Sequence, residues 1–205
     1  MQQDNQSPNP DAVIDFWFGP QSGGFSDAST RRRWFTPDPE FDREISQRFG
    51  SLLQSAAKGA LAPWRSAATG CLAFIVVTDQ FSRQIHRGSA EAFATDPLAL
   101  SAAREGVSLG FDRALGYDQR AFFYLPFEHS ESAEDQHMSV ELFTRLAADT
   151  PASHRGHSEE ALRFALAHRD IVVQFGRFPH RNATLGRAST PAELEFLRTA
   201  SRFGQ

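Results

Sequence analysis

The chain has 205 residues, a mass of 22.8 kDa, a formal net charge of −4 and a pI near 6.0. That length buries a full core without covalent staples, and the acidic balance argues against broad nucleic-acid binding, which needs a basic surface to release counterions. The longest apolar run, Cys71 to Val77, falls far short of the roughly 20 residues a membrane span requires.

Asn9-Pro10 reads as a helix cap followed by a first helical proline. The helix runs to Phe18, with Val13, Ile14, Trp17 and Phe18 on one face, and Gly19-Pro20 stops it. Gln21 to Ser29 reads as a loop. Arg31-Arg32-Arg33 beside Trp34-Phe35 is either a nucleic-acid patch or a solvated helical turn next to an aromatic anchor; three arginines alone are a weak patch, so the second reading is favoured. Asp38-Pro39 opens a second helix along Phe41, Ile45, Phe49, Leu52, Leu53 and Ala56, closed by Lys58-Gly59.

A third helix spans about residues 66–85. It becomes apolar all round at Leu72 to Val77, the pattern of a central helix, and ends in Asp79-Gln80-Phe81-Ser82-Arg83. Thr95-Asp96-Pro97 caps a helix running to Gly110, with Phe93 placed as a staple. Asp118 to Leu125 forms the next, stopped by Pro126. Ser130 or Ser132 caps one with Met138, Leu142, Phe143 and Leu146 inward, ended by Asp149-Thr150-Pro151. Ser158 caps another, lined by Ala161, Phe164, Ala165, His168, Ile171, Val172 and Phe175 and stopped by Gly176. Thr190-Pro191 with Glu193 forms a capping box for the last. Eight helices, short loops and no hairpin signal predict an all-α chain, a single domain over residues 1–205, with helices in antiparallel pairs forming a stacked or superhelical array.

Two stretches read almost alike: Gln80-Phe-Ser-Arg83-Gln84-Ile-His86-Arg87 and Gln174-Phe-Gly-Arg177-Phe-Pro-His180-Arg181. Both spell Q-F-x-R-x-x-H-R after an apolar run. Duplication and chance similarity both remain open. At a helix end the Phe can anchor in the core while the Arg and His face a loop-lined surface. If the two ends converge, Arg83, Arg87, Arg177 and Arg181 form an anion cradle; the alternative is an ion-pair network in which Asp79, Asp170, Glu128 and Glu131 neutralise them. Of the 21 basic residues only Lys58 is a lysine, so nearly every cation is a guanidinium suited to bidentate pairing; a GC-rich genome produces the same bias.

Glu128-His129-Ser130-Glu131 follows Pro126 and sets two carboxylates around a histidine. Histidine titrates near neutral pH and a carboxylate can orient it, so His129 with Glu128 or Glu131 is a candidate acid–base pair. Metal signals are weak. The E-x-x-H element Glu134 to His137 stands alone where di-iron bundles need two, His154 and His157 sit in a Pro/Gly loop without cysteine, and His168 reads as a hydrogen-bonded core histidine. No phosphate loop, dinucleotide fingerprint, G-x-S-x-G elbow or H-E-x-x-H is present. No metal and no cofactor are expected. Met1 to Pro10 is polar and unlike a leader, and Cys71 reads as a small buried hydrophobe, so a reduced, cytoplasmic setting is expected.

Val13-Ile-Asp-Phe-Trp-Phe-Gly19, Trp34-Phe35, Asp79-Gln-Phe-Ser-Arg83 with His86-Arg-Gly88, Tyr124-Leu-Pro-Phe-Glu-His-Ser-Glu131, Arg177-Phe-Pro-His-Arg-Asn182, Leu185-Gly-Arg187 and Ser189-Thr-Pro191 together resemble the bacterial domain-of-unknown-function family numbered 924. The resemblance covers nearly the whole chain. It implies an all-helical fold similar to tetratricopeptide-like superhelices and no particular activity; Gln84 departs from the Asn expected there. The leading expectation is a binding protein that holds a small anionic ligand or an acidic peptide, with no nucleic-acid or membrane partner. Its ligand-binding set is Asp79, Gln80, Arg83, His86, Arg87, Arg177, His180, Arg181 and Asn182. The alternatives are a metal-independent hydrolase or lyase using His129 with Glu128 or Glu131, and a purely structural salt-bridge network in an interaction scaffold.

Overall fold

The computed structural model describes residues 9–199; most of the polar stretch read as unlike a leader lies outside them. Helix α1 (Pro10–Phe18) begins where Asn9 accepts a hydrogen bond from the Asp11 amide at 2.9 Å, and it buries Val13, Ile14, Trp17 and Phe18. A loop was expected next, but β1 (Gln21–Ser22) and β2 (Phe25–Ser26) pair as an antiparallel hairpin. Gly23 and Gly24, with φ of 60° and 87°, make its turn, a conformation a glycine pair adopts without steric cost. Two-residue strands are too short to show alternation, which is why the pattern concealed them. Phe25 stacks between Tyr117 and His154, with ring centroids 4.8 and 4.0 Å away.

Asp27 caps α2 (Ala28–Phe35), accepting from the Thr30 amide at 2.8 Å. The Trp34 indole donates to the Trp17 carbonyl at 2.8 Å, and the Arg33 guanidinium lies 4.2 Å from the Phe41 ring centroid. The arginine triplet is thus a helical turn beside an aromatic anchor. In α3 (Pro39–Ala57) the buried face is Phe41, Ile45, Phe49, Leu53 and Ala56. Phe49 stacks on Phe81 at 4.8 Å and ties α3 to the centre of the molecule.

That centre is α4 (Ala68–Ile75), which continues through a π-helical segment, Val76–Phe81, into α5 (Ser82–Ile85). Every residue from Gly70 to Ser82 is buried, so the all-round apolar pattern reports a helix covered on every side. A side chain at Gly70 would come within 2.3 Å of the Trp64 carbonyl oxygen; glycine is what allows that approach. Thr95 does not cap α6 (Asp96–Ser108) with its side chain. Its hydroxyl donates at 2.5 Å to the Thr78 carbonyl inside the π segment, giving a buried acceptor a partner.

Helix α7 (Tyr117–Glu128) runs through Pro126. Lying in the last turn, the proline removes one donor only, and the His129 amide still bonds the Leu125 carbonyl at 2.8 Å. Ser132 caps α8 (Ala133–Asp149). Helix α9 (Arg155–Phe175) starts ahead of the expected cap, so Ser158 lies inside its first turns and donates back to the Arg155 carbonyl at 3.1 Å. Gly176, with φ of 70°, ends it. Thr190 and Glu193 complete the expected capping box of α10 (Pro191–Thr199): the Thr190 amide donates to Glu193 at 2.7 Å and the Glu193 amide to the Thr190 hydroxyl at 3.2 Å.

Apart from the small hairpin, the regular secondary structure of the described residues is helical. One contiguous apolar cluster draws on α1, α3, α4, the π segment and α6 to α9; a smaller one, Ile171, Val172 and Phe178, closes the end of α9. No described helix is long and apolar enough to cross a membrane.

Candidate functional site

The π segment places Asp79 at the heart of a polar centre. Its carboxylate is fully buried, takes Gln80 as an immediate hydrogen-bond partner, and lies 3.0 Å from Arg83 and 2.7 Å from His129 Nδ1. Burial alone would raise its pKa, but the Arg83 and His129 interactions outweigh burial and hold it below the ordinary carboxylate range. An ionised carboxylate only accepts, so His129 donates from Nδ1 and carries its lone pair on Nε2. Burial and the nearby Arg83 and Arg181 charges lower the His129 pKa against the pull of Asp79. The ring is neutral at pH 7.

Glu128 and Glu131 flank His129 in sequence but turn elsewhere. Glu128 is buried 3.3 Å from His168 Nδ1, and burial together with the negative charge of Asp79 pushes its pKa up to about 8. It is a neutral acid at pH 7. His168 donates to the Phe164 carbonyl at 2.9 Å, and burial drives its pKa down to about 3. Glu131 receives both arms of Arg187, at 2.7 and 2.9 Å, and the Phe178 amide at 2.8 Å. This pins the segment after α9 against the α7–α8 turn.

The two Q-F-x-R-x-x-H-R stretches meet across Asp96. Arg83 grips that carboxylate bidentately at 2.8 and 3.0 Å, and Arg181 of the second stretch lies 3.8 Å from it. The two arginines are bound very differently. Arg83 also donates to the Asp79 carbonyl at 2.9 Å. Arg181, only 5% exposed, donates one hydrogen bond, to the His129 carbonyl at 3.0 Å; its buried Nε, like that of Arg83, has no acceptor. Its guanidinium is sandwiched between Phe178 and Phe93, 4.5 and 4.8 Å from their ring centroids. Burial, and then repulsion from Arg83, lower its pKa to about 10.

The other expected ligand residues are spread around this centre or away from it. Arg87 pairs with Asp42 of α3 at 2.8 and 3.0 Å and also contacts Gln84, so Gln84 serves that pair. Arg177 grips Glu193 at 2.6 and 2.8 Å, holding α10. His86 accepts through its carbonyl from the Ser89 hydroxyl at 3.0 Å. The buried Asn182 amide donates to the Ser189 hydroxyl at 3.0 Å. His180 is half-buried against Phe178, and burial with the Arg181 charge takes its pKa to about 4. Two surface hollows, of about 580 and 380 Å³, adjoin Arg177 with Glu193 and Phe25 with His154; neither is lined by Asp79 or His129. Among the described residues no group of three or more His, Cys, Asp or Glu side chains is arranged to hold a metal ion.

The pattern of the sequence pointed to Asp79, Arg83, His129 and Arg181 but passed over Asp96, Arg187 and Phe93 as site residues. Asp96 had looked like a capping-region residue. The one available hint was an acidic residue one turn after an aromatic, beside a proline, and such a pattern is common at helix starts.

An all-helical chain folded around a buried ion-pair centre is the class of protein these features define. The profile of a bacterial protein of unknown function, DUF924, matches residues 13–201, and the chain belongs to that family. A solved structure of a protein of unknown function from Agrobacterium tumefaciens, ATU0120, is similar to it over 93% of this chain and 97% of that one, with 36% sequence identity and a TM-score of 0.80. No curated protein matches the chain.

Proposed function

We propose that the protein binds a small anionic ligand, a carboxylate or a phosphate, at Arg181, with Arg83 and His129 as neighbours. The observation that carries this reading is the contrast in partners: Arg83, Arg87, Arg177 and Arg187 each hold a carboxylate bidentately, whereas the buried Arg181 makes a single hydrogen bond. A buried guanidinium short of acceptors is costly. An anion supplies the missing acceptors and offsets the repulsion from Arg83. For the four bidentate arginines the pairing favours the structural role, stitching α3, α6, α10 and the α7–α8 turn to their neighbours.

Inorganic phosphate, sulfate and succinate, and an acidic peptide ending in Asp-Glu, test the reading by NMR of the Arg181 Nε–H resonance. The expected result is a saturable shift at Arg181 with at least one probe, absent in Arg181→Gln. Response to the small anions but not the peptide marks a small-molecule site; the reverse marks a peptide-terminus site. An Arg181 resonance that none of the four probes moves overturns the proposal, and this readout on the unaltered protein does not depend on the variant folding.

A further inference from the structure

We infer that His129, held by Asp79, is a general base that activates water against an ester of the anionic ligand bound at Arg181. The inference rests on the Arg181 reading and deepens it.

Geometry carries the argument. The carboxylate of Asp79 is buried and 2.7 Å from Nδ1 of His129. That contact fixes the ring's tautomer and orientation, as the carboxylate does in histidine-based hydrolases. The backbone that carries the ring is held as well, because the His129 carbonyl accepts from Arg181 at 3.0 Å. The anion-binding guanidinium and the base are therefore tied to one residue. The His129 side chain is 12% exposed while Asp79 is fully enclosed, so solvent that reaches the dyad reaches it through the histidine. The same carboxylate also bonds Gln80 and Arg83, so it cannot swing away from the ring. Ser130, beside His129, gives its hydroxyl to Asp135 at 2.7 Å. It is not oriented by the histidine, which leaves water as the nucleophile.

The step balances. Water loses a proton to Nε2 of His129 as its oxygen bonds the ester carbonyl carbon; the C–O bond to the leaving alcohol then breaks, and the imidazolium returns the proton to that oxygen. The products are a carboxylic acid and an alcohol, with the histidine regenerated. Asp79 is a positioning residue that stabilises the transient imidazolium.

Mono-para-nitrophenyl succinate, which carries an anionic tail, and neutral para-nitrophenyl butyrate serve as probes. The wild-type protein is expected to hydrolyse the anionic ester roughly 10²-fold faster than buffer and to prefer it to the neutral one. His129→Gln should abolish this while the Arg181 resonance still shifts with phosphate. Asp79→Asn should lower kcat more than it raises KM, and its rate should rise at a lower pH than wild type, because the carboxylate no longer supports the imidazolium. A wild-type protein that binds phosphate at Arg181 but hydrolyses neither ester overturns this inference and leaves the binding reading standing. Hydrolysis that survives His129→Gln also overturns it. An Arg181 resonance that phosphate, sulfate, succinate and the acidic peptide all leave unmoved removes both.

Discussion

The same eight-residue pattern occurs twice in this chain and does opposite work in its two settings. In the first copy Gln80 and Phe81 are buried in the π segment, Arg83 grips Asp79 and Asp96 inside the molecule, and Arg87 lies outside against Asp42. In the second copy Gln174 is exposed, Phe175 is half-buried, Arg177 clamps Glu193 near the surface, and Arg181 is the buried member. The inner and outer arginines have exchanged places. The first copy continues a helix, whereas the second crosses the Gly176 stop and enters a short turn at Pro179–Arg181. Side-chain direction follows backbone path, so equal spelling fixes neither burial nor partner.

Breaking the first copy's inner arginine gives the largest expected effect. Arg83→Ala leaves Asp79 buried with half its compensation and should cost about 3–5 kcal/mol in urea unfolding. An equal loss from Arg83→Ala and Arg177→Ala would dissolve the contrast between the copies.

The burial of Glu128 itself, and then the charge of Asp79, raise its pKa to about 8 from the ordinary 4.5. As pH rises through 4.5 the unfolded chain releases this proton and the folded one keeps it, so stability falls from there to about pH 8 and levels off above. Glu128→Gln, which mimics the neutral acid, should remove that slope. At pH 8 the variant should exceed wild type by on the order of 2–4 kcal/mol, with the difference vanishing below pH 5. His168 acts with the opposite sign: its pKa near 3 in the folded chain, against 6.5 unfolded, removes stability as pH falls through 6.5. Urea midpoints across pH 4–9 check both limbs.

Arg177→Ala should cost clearly less than Arg83→Ala, because Glu193 keeps the Thr190 amide at 2.7 Å; the loss should appear as earlier fraying of α10 in hydrogen exchange. Arg87→Ala, an exposed pair with Asp42, should change stability by only about 0–1 kcal/mol.

Much of the fold was legible. Caps at Asn9, Asp38 and Thr190, the stop at Gly176 and the sheathed run from Leu72 to Val77 are local, and propensity or periodicity reads them directly. The hairpin escaped because its strands are two residues long, and α7 outran Pro126 because a proline in a last turn removes one donor only. At the polar centre, residue types were legible and pairings were not. His129 stood between two glutamates in sequence, yet the carboxylate that reaches it is that of Asp79, 50 positions away.

The sequence by itself determined an all-helical chain, the ends of most helices and a concentration of Arg, His, Asp and Glu on a few turns, because capping and amphipathic periodicity act within a few residues. Only the tertiary structure decided which charges meet. Buried ionic partners are chosen by the distance between side chains after the helices have packed, and their protonation follows from the burial and neighbouring charges that packing creates. That is why Glu128 becomes a neutral acid, His129 a neutral base and Arg181 a cation short of acceptors, none of which is written in the order of the residues.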